Sequence, residues 1–280
     1  MKTKTLRIIK NDRQSLFDYK RLLNNLIKKI QKDLISHLLD DKTNVNDFKE
    51  TNKSFMVNST ADELKVIFEQ IGESLKLVTP FYSEKVKSIF AKLNSINRAK
   101  LSKALIDRIG IDLSKIIKSS PTNDLLTLAI DQNLSLIKSI VDKQLESVKN
   151  FVYQQLRSGE FDNTKIRDYL AKNFEITKRR ANFIAKDQTH KFTSSLTEIR
   201  LKQLDILKYN WRNSQDIRVR GNPSGLYPNS RYNHWSREGK VYSFDKPPPD
   251  GNPGQPINCR CYAEPILPIE FDELLKDSDE

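Results

Sequence analysis

Apolar residues in the first two hundred positions recur mostly at three- and four-residue steps, the period of a helix with one buried face. Phe17, Leu22, Leu23, Leu26, Ile30, Leu34 and Leu38 form one such stripe. Leu134, Ile137, Val141, Leu145, Val148, Val152 and Leu156 form another, with Ser158-Gly159 as its stop. Stripes of this kind are bundle core or oligomer seam before they are anything chemical, and His37, beside the first, reads as structural. Asn44 to Ser59 lacks the period and reads as a loop. Thr164 and Thr177 stand where N-caps belong, before residues 165–172 and 178–188, which predicts two helices with a short connection. A basic second helix invites a helix-turn-helix reading. The connection has no glycine, however, and the second helix runs on past Thr189, too long for a compact reader of bases.

From about Ile206 the period drops to two. Residues 206–211, 217–220, 240–244 and 259–263 each alternate and predict four short strands. Proline follows the same division: only Pro80 and Pro121 precede Gly221, and helix interiors exclude proline. The pattern predicts an α+β chain, with a helical N-terminal region over 1–130, a helical and small-sheet module over 131–268, and an acidic tail over 269–280.

Composition narrows the class. A chain of 280 residues with 37% hydrophobic and 30% charged residues suits many half-solvated helices. Two cysteines make no disulfide framework and fit a reducing compartment. The basic N-terminus leads into no signal-length apolar core, and no run is long enough to span a bilayer, so the expectation is a soluble, cytoplasmic protein with no membrane partner.

Charge points to a partner. The formal net charge is +12, yet residues 269–280 hold six acids and one lysine, which leaves +17 on the rest. Residues 178–240 carry fourteen Lys/Arg against five Asp/Glu. Such density fits either solvated lysine-rich faces or a polyanion, of which nucleic acid is the commonest. Lys178, Arg179, Arg180, Lys186, Arg218 and Arg220 are the candidate DNA contacts. The first three open the predicted second helix, where the helix dipole disfavours cations, so either phosphate contact or simple tolerance accounts for them. Asp216, Arg218 and Arg220 share one face of their predicted strand, as an ion-pair ladder or a binding surface. The tail acids are placed to compete for a basic face.

The candidate chemistry gathers late in the chain. Cys259 and Cys261 are the only cysteines, and on a strand both sulfurs point to one face with Arg260 on the other. A bridge at this spacing is strained, so a shared ligand or tight packing is the better reading. Thiolate and imidazole are zinc donors, which makes His234, Cys259 and Cys261 a candidate zinc site, with Asp216, Asp250 or His190 as a fourth ligand. The alternative is packed cysteines and a histidine bound to a carboxylate. No glycine-rich phosphate loop, zincin helix or nucleophile elbow accompanies these residues, and the expectation is a protein that is not an enzyme. Trp211 and Trp235 read as core aromatics or interface anchors.

An ordered series of segments resembles a known family. It runs through Asn133–Ile140, Ile176–Gln188, Tyr209–Ser214, Asp216–Arg220, His234, Gly239-Lys240 and Asn258–Cys261. Over roughly residues 130–268 the chain resembles the phage minor head proteins similar to phage Mu protein F, also called phage head morphogenesis proteins. The resemblance implies a minor capsid component associated with the portal and other capsid proteins, located in the phage head and made in the host cytoplasm. It also implies sequence-independent binding of double-stranded DNA in packaging or ejection. A non-structural DNA-binding or DNA-processing protein, or a zinc-dependent enzyme, is the competing class. Two features depart from the family: a longer segment, 221–233, before His234, and His190 where many relatives have a small or aliphatic residue.

Overall fold

The structure is a computed structural model that describes residues 4–39, 61–77, 79–110, 112, 122–158 and 162–269. The predicted loop at 44–59, Gly159 and the acids of the tail lie outside the described residues. Five α-helices are described: α1 (Arg13–Leu38), α2 (Ala61–Leu77), α3 (Thr79–Ile109), α4 (Thr122–Ser158) and α5 (Asn163–Gln203). Three short strands follow, β1 (Lys208–Arg212), β2 (Val241–Ser243) and β3 (Tyr262–Ile266), so the chain is α+β as its periods predict. None of the described helices is long and apolar enough to cross a membrane.

Two compact units are present, and each is discontinuous in sequence: residues 17–87 with 131–185, and residues 1–16 with 88–130 and 186–280. The first is helical. The α1 stripe is buried from Leu22 to Leu38, whereas Phe17 is exposed. Ile137, Val148 and Val152 of the second stripe are buried too. Some polar groups inside this unit pair with each other: Tyr19 donates to Asn133 Oδ1 at 2.7 Å, and Asn173 Nδ2 to Ser147 Oγ at 2.7 Å. Phe151 stacks on Tyr169 with ring centroids 3.9 Å apart.

The two helices expected around residues 165–188 are one. Asp162, not Thr164, caps α5, its Oδ1 accepting the Thr164 N–H at 2.7 Å. Thr177 lies in mid-helix, where its hydroxyl donates to the Asn173 carbonyl at 3.0 Å and also bonds the Gln144 side chain. A threonine that satisfies its hydroxyl on the carbonyl four residues back has no need to break the helix. Leu170, Phe174, Ala181, Ile184 and Ala185 are all buried, so one apolar face runs through the supposed connection. Lys178, Arg179 and Arg180 are therefore mid-helix residues, and no helix-start dipole opposes them.

The second unit is built on the sheet. Its order is β2-β1-β3, antiparallel throughout, with Tyr209 opposite Tyr242 on one side and Pro265 on the other. Alternation along β1 buries Tyr209 and Trp211, each worth about 4–6 kcal/mol of apolar transfer before entropy is charged. Around them pack Leu101 and Leu105 of α3, Leu201 of α5, Ile206, Phe244, both cysteines and Leu267. Leu6 and Ile9 join the same core, because the N-terminal segment pairs with β3: Leu6 N–H bonds the Pro265 carbonyl at 2.9 Å, and Leu267 N–H the Lys4 carbonyl at 3.0 Å. Arg200 is buried against Asn97 and Asn94, and burial, with Arg98 nearby, lowers its pKa to about 10. It stays charged at neutral pH, held by amide oxygens.

Residues 217–220 are not a strand. The Asp216 carboxylate accepts the Arg218 N–H at 2.9 Å, an Asx turn that folds the segment on itself. Ile217 is 56% exposed and Val219 3%, so the alternating pattern here marks one inward anchor in a loop. Gly221, at φ +77°, closes the turn where a Cβ would lie 2.1 Å from Asn233 Oδ1.

A proline at position 177 separates one helix from two. Thr177→Pro removes a mid-helix N–H and should cost about 3 kcal/mol or more. The check is denaturant unfolding followed by far-UV dichroism; an unchanged midpoint means a break at this position after all.

Candidate metal centre

Three loops bring the site together. His234 precedes the short 3-10 turn Trp235–Arg237, which is pinned by the Trp235 N–H on the Arg220 carbonyl at 2.9 Å. Asp250 comes from the proline-rich stretch after β2, and Cys259 and Cys261 from the residues leading into β3. The cysteines were expected on a strand, but both precede it. Asn258 adopts φ +55°, and its N–H donates to Asp187 Oδ1 of α5 at 2.6 Å, which anchors the loop. Arg260 does turn the other way, pairing with Asp216 at 2.6 Å.

The three candidate donors do meet. His234 Nδ1 lies 3.7 Å from Cys259 Sγ and 3.5 Å from Cys261 Sγ, and all three donor atoms fall within 4.8 Å of one another. Zinc–sulfur bonds of about 2.3 Å and a zinc–nitrogen bond of about 2.0 Å at tetrahedral angles separate S and N by roughly 3.5 Å. The residues are buried and fit a metal ion in spacing and in chemistry.

The surroundings also suit a cation. On the far side of the ring, His234 Nε2 is 2.7 Å from Asp250 Oδ2; a proton held there leaves the Nδ1 lone pair facing the sulfurs. Burial raises the Asp250 pKa, but bonds from His234 and Arg237 outweigh it and hold the carboxyl below its usual range. Arg237 pairs with the other oxygen at 2.7 Å and lies over the Trp211 ring at 4.8 Å. Trp211 meets the His234 ring edge-on at 5.2 Å. The backbone N–H groups of Gly254 and Cys261 each donate to Cys259 Sγ at 3.4 Å. Two buried thiols this close favour a single thiolate. The Cys261 thiol bonding to Cys259 draws the latter well below the ordinary range, and the same bond and burial push Cys261 up. A dication bound to both sulfurs would displace that remaining proton.

The proposed fourth ligands stand elsewhere. His190 Nε2 is 3.1 Å from the Cys261 carbonyl, and burial lowers the ring's pKa and keeps it neutral. Asp216 is committed to Arg260, and Asp250 to the outer nitrogen of His234. The carboxylate partner weighed as the alternative to metal is thus present together with the donor cluster. Trp211 is core, at 0% exposure, while Trp235 is half-buried.

The basic candidates divide between the units. Lys178 and Arg179 are exposed on α5, and Arg180 reaches Ser139 Oγ at 3.2 Å. Lys186, Arg218 and Arg220 belong to the other unit, with Arg218 exposed and Arg220 bonded to the Ile257 carbonyl. Sequence reasoning missed Arg237 and Asp187, which orient the site without donating to it. The signal for Asp187 was its place in the Ile176–Gln188 run; Arg237 had none.

Removing the carboxylate tests the orienting role. Asp250→Ala strands a buried guanidinium and should cost about 3–5 kcal/mol, whereas Asp250→Asn keeps an acceptor for His234 and should lose less. Denaturant midpoints followed by Trp fluorescence report this. An Asp250→Ala protein within 1 kcal/mol of the parent, on the order of experimental error, rules the role out.

Comparison with known proteins adds a family resemblance over part of the chain. Residues 146–264 match the model of the family described as Phage Mu protein F like protein. An uncharacterized protein of Haemophilus influenzae is 30% identical over 184 residues, covering 65% of this chain and 38% of that protein. The chain therefore spans less than half the length of this relative. No solved structure matches it significantly. Every residue of the His/Cys/Cys cluster and its Asp–Arg support lies inside the matched segment, so residues 146–264 resemble the Phage Mu protein F like protein family, a match consistent with a phage head morphogenesis family.

Proposed function

We propose that this protein is a minor head component of a phage or prophage, associated with the portal, that binds DNA without sequence preference during head assembly, packaging or ejection. The match of residues 146–264 to the Mu protein F-like family carries this reading. The charge balance supports it: +12 overall, with a basic excess through residues 178–240. Nothing among the described residues resembles a compact base-reading module, since the one candidate is part of a 41-residue helix.

The same domain, on this reading, holds one zinc ion on His234, Cys259 and Cys261. Zinc suits two thiolates and an imidazole, and a three-stranded sheet joined by proline-rich loops is the kind of small unit that a metal steadies. When bound, the ion supplies cross-linking between the His234 loop and the strand leading to the C-terminus. Asp250 fixes the ring, and the Gly254 and Cys261 N–H groups stabilise sulfur charge.

Two experiments test the reading. Mass spectrometry of purified particles from an induced lysogen should find this chain with the portal and capsid proteins; its absence from particles overturns the head assignment. In solution, unrelated duplexes should bind alike, with affinity falling roughly 10³-fold between about 50 and 200 mM salt if six phosphates are neutralised. A salt-independent affinity, or strong preference for one sequence, counts against DNA contact through the basic residues.

Zinc has its own check. Protein prepared without chelator should carry about one zinc per chain, and Cys259→Ser and Cys261→Ser should each lose it and lower the stability of the sheet unit. Metal-free wild type of unchanged stability means packed thiols and no zinc.

A further inference from the structure

Three protein donors leave a tetrahedral ion one position short. Among the described residues, His234, Cys259 and Cys261 form the only group of donor atoms close enough to share an ion. Of the alternative ligands, His190 and Asp250 have their side chains directed to the Cys261 carbonyl and the outer face of the His234 ring, and Asp216 is paired with Arg260. The position left over is therefore a question about the space beside the donors.

That space is occupied by a small cavity of about 10 Å³, lined by all three donors together with Arg218, Arg220, Asn258 and Arg260. Its size is at the threshold for one ordered water. A larger cavity of about 160 Å³ lies nearby, against Lys186, Asp187 and His190, but it meets the donors only at Cys259. Of the two, only the small cavity is lined by all three donor residues.

Charge specifies what would enter. A dication with two thiolates and a neutral imidazole sums to zero, so the site itself does not repel an anion. Three arginines are among the lining residues, and two have their head groups on partners of their own: Arg260 on Asp216, and Arg220 on the Ile257 carbonyl. Arg218 is exposed. The local field favours a water or a small anion with its donor atom on the metal.

Resting on the zinc reading above, we infer that the fourth metal position is open, held by a single solvent water that small monodentate anions replace, with Arg218 favouring the anion. This is a site for an exchangeable ligand, distinct from a closed structural zinc with four protein donors. The class of ligand is a small anion whose donor atom takes the place of that water.

Cobalt(II) in place of zinc in the full-length protein makes the position visible. The cobalt protein should show thiolate-to-metal charge transfer and tetrahedral d–d bands. Azide should shift those bands in a saturable way, and ¹⁷O-enriched water should broaden the low-temperature cobalt resonance. Arg218→Gln should weaken azide binding by roughly 3- to 10-fold while cobalt content stays at the wild-type level. Failure to take up cobalt at all would sink the metal reading itself. Cobalt uptake with spectra indifferent to azide and to ¹⁷O water would instead leave that reading intact and overturn the open position. Azide affinity unchanged in Arg218→Gln would remove the arginine from the proposal.

Discussion

The Asp250 carboxylate sets the arrangement of the C-terminal unit. It is nearly inaccessible to solvent, so its charge must be matched inside the protein. One oxygen takes the His234 ring and the other takes Arg237. These two partners lie three residues apart on one turn, and both press on Trp211 of β1, one edge-on and one over the ring face. A buried anion, two donors and an indole thereby lock a proline-rich loop, a 3-10 turn and a strand to each other. The orientation that places His234 Nδ1 against two sulfurs follows from where its other nitrogen is bound.

Around that centre the backbone is held by long-range pairing. The N-terminal segment lies along β3, so the first described residues pair with a strand near the last described ones. α5 supplies Asp187 to the Asn258 turn and His190 to the Cys261 carbonyl, which places both cysteines from a rigid helix. Gly254 lies so close to this helix that a Cβ would meet Ser194 Oγ at 2.1 Å. At φ +90° its N–H reaches the Cys259 sulfur, as the Cys261 N–H also does. The site is thus carried by loops, but each loop is tied to a helix or strand by at least one hydrogen bond.

For a head protein of the proposed kind, such a unit separates two demands. Helical faces can present lysine and arginine to a polyanion, since exposed cations on α5 cost the core nothing. The small sheet instead concentrates buried polar groups, and its stability rests on the pairings among them, Asp250 with His234 and Arg237 above all. Loss of one partner there is felt by several elements at once, whereas loss of one surface lysine is felt mainly by whatever it binds.

Much of this could be read from the sequence, and the divide follows the range of the forces. Period alone located the α1 stripe, β1 and β2, because a repeat of 3.6 or two is a local property. The grouping of His234 with Cys259 and Cys261 was readable from residue chemistry and proximity in the chain. The Thr177 cap and the strand at 217–220 were misread, since both depend on competition between local and distant partners. Asn173 and Gln144 satisfy the Thr177 hydroxyl within an unbroken helix, and the Asp216 side chain folds the Ile217 run into a turn. Which carboxylate orients His234, that Arg237 shares it, and that residues 4–6 pair beside β3 were decided by tertiary structure alone. Those pairings join residues far apart in the chain or without a periodic mark, and only burial, by forbidding an unpaired charge or backbone group, selects among them.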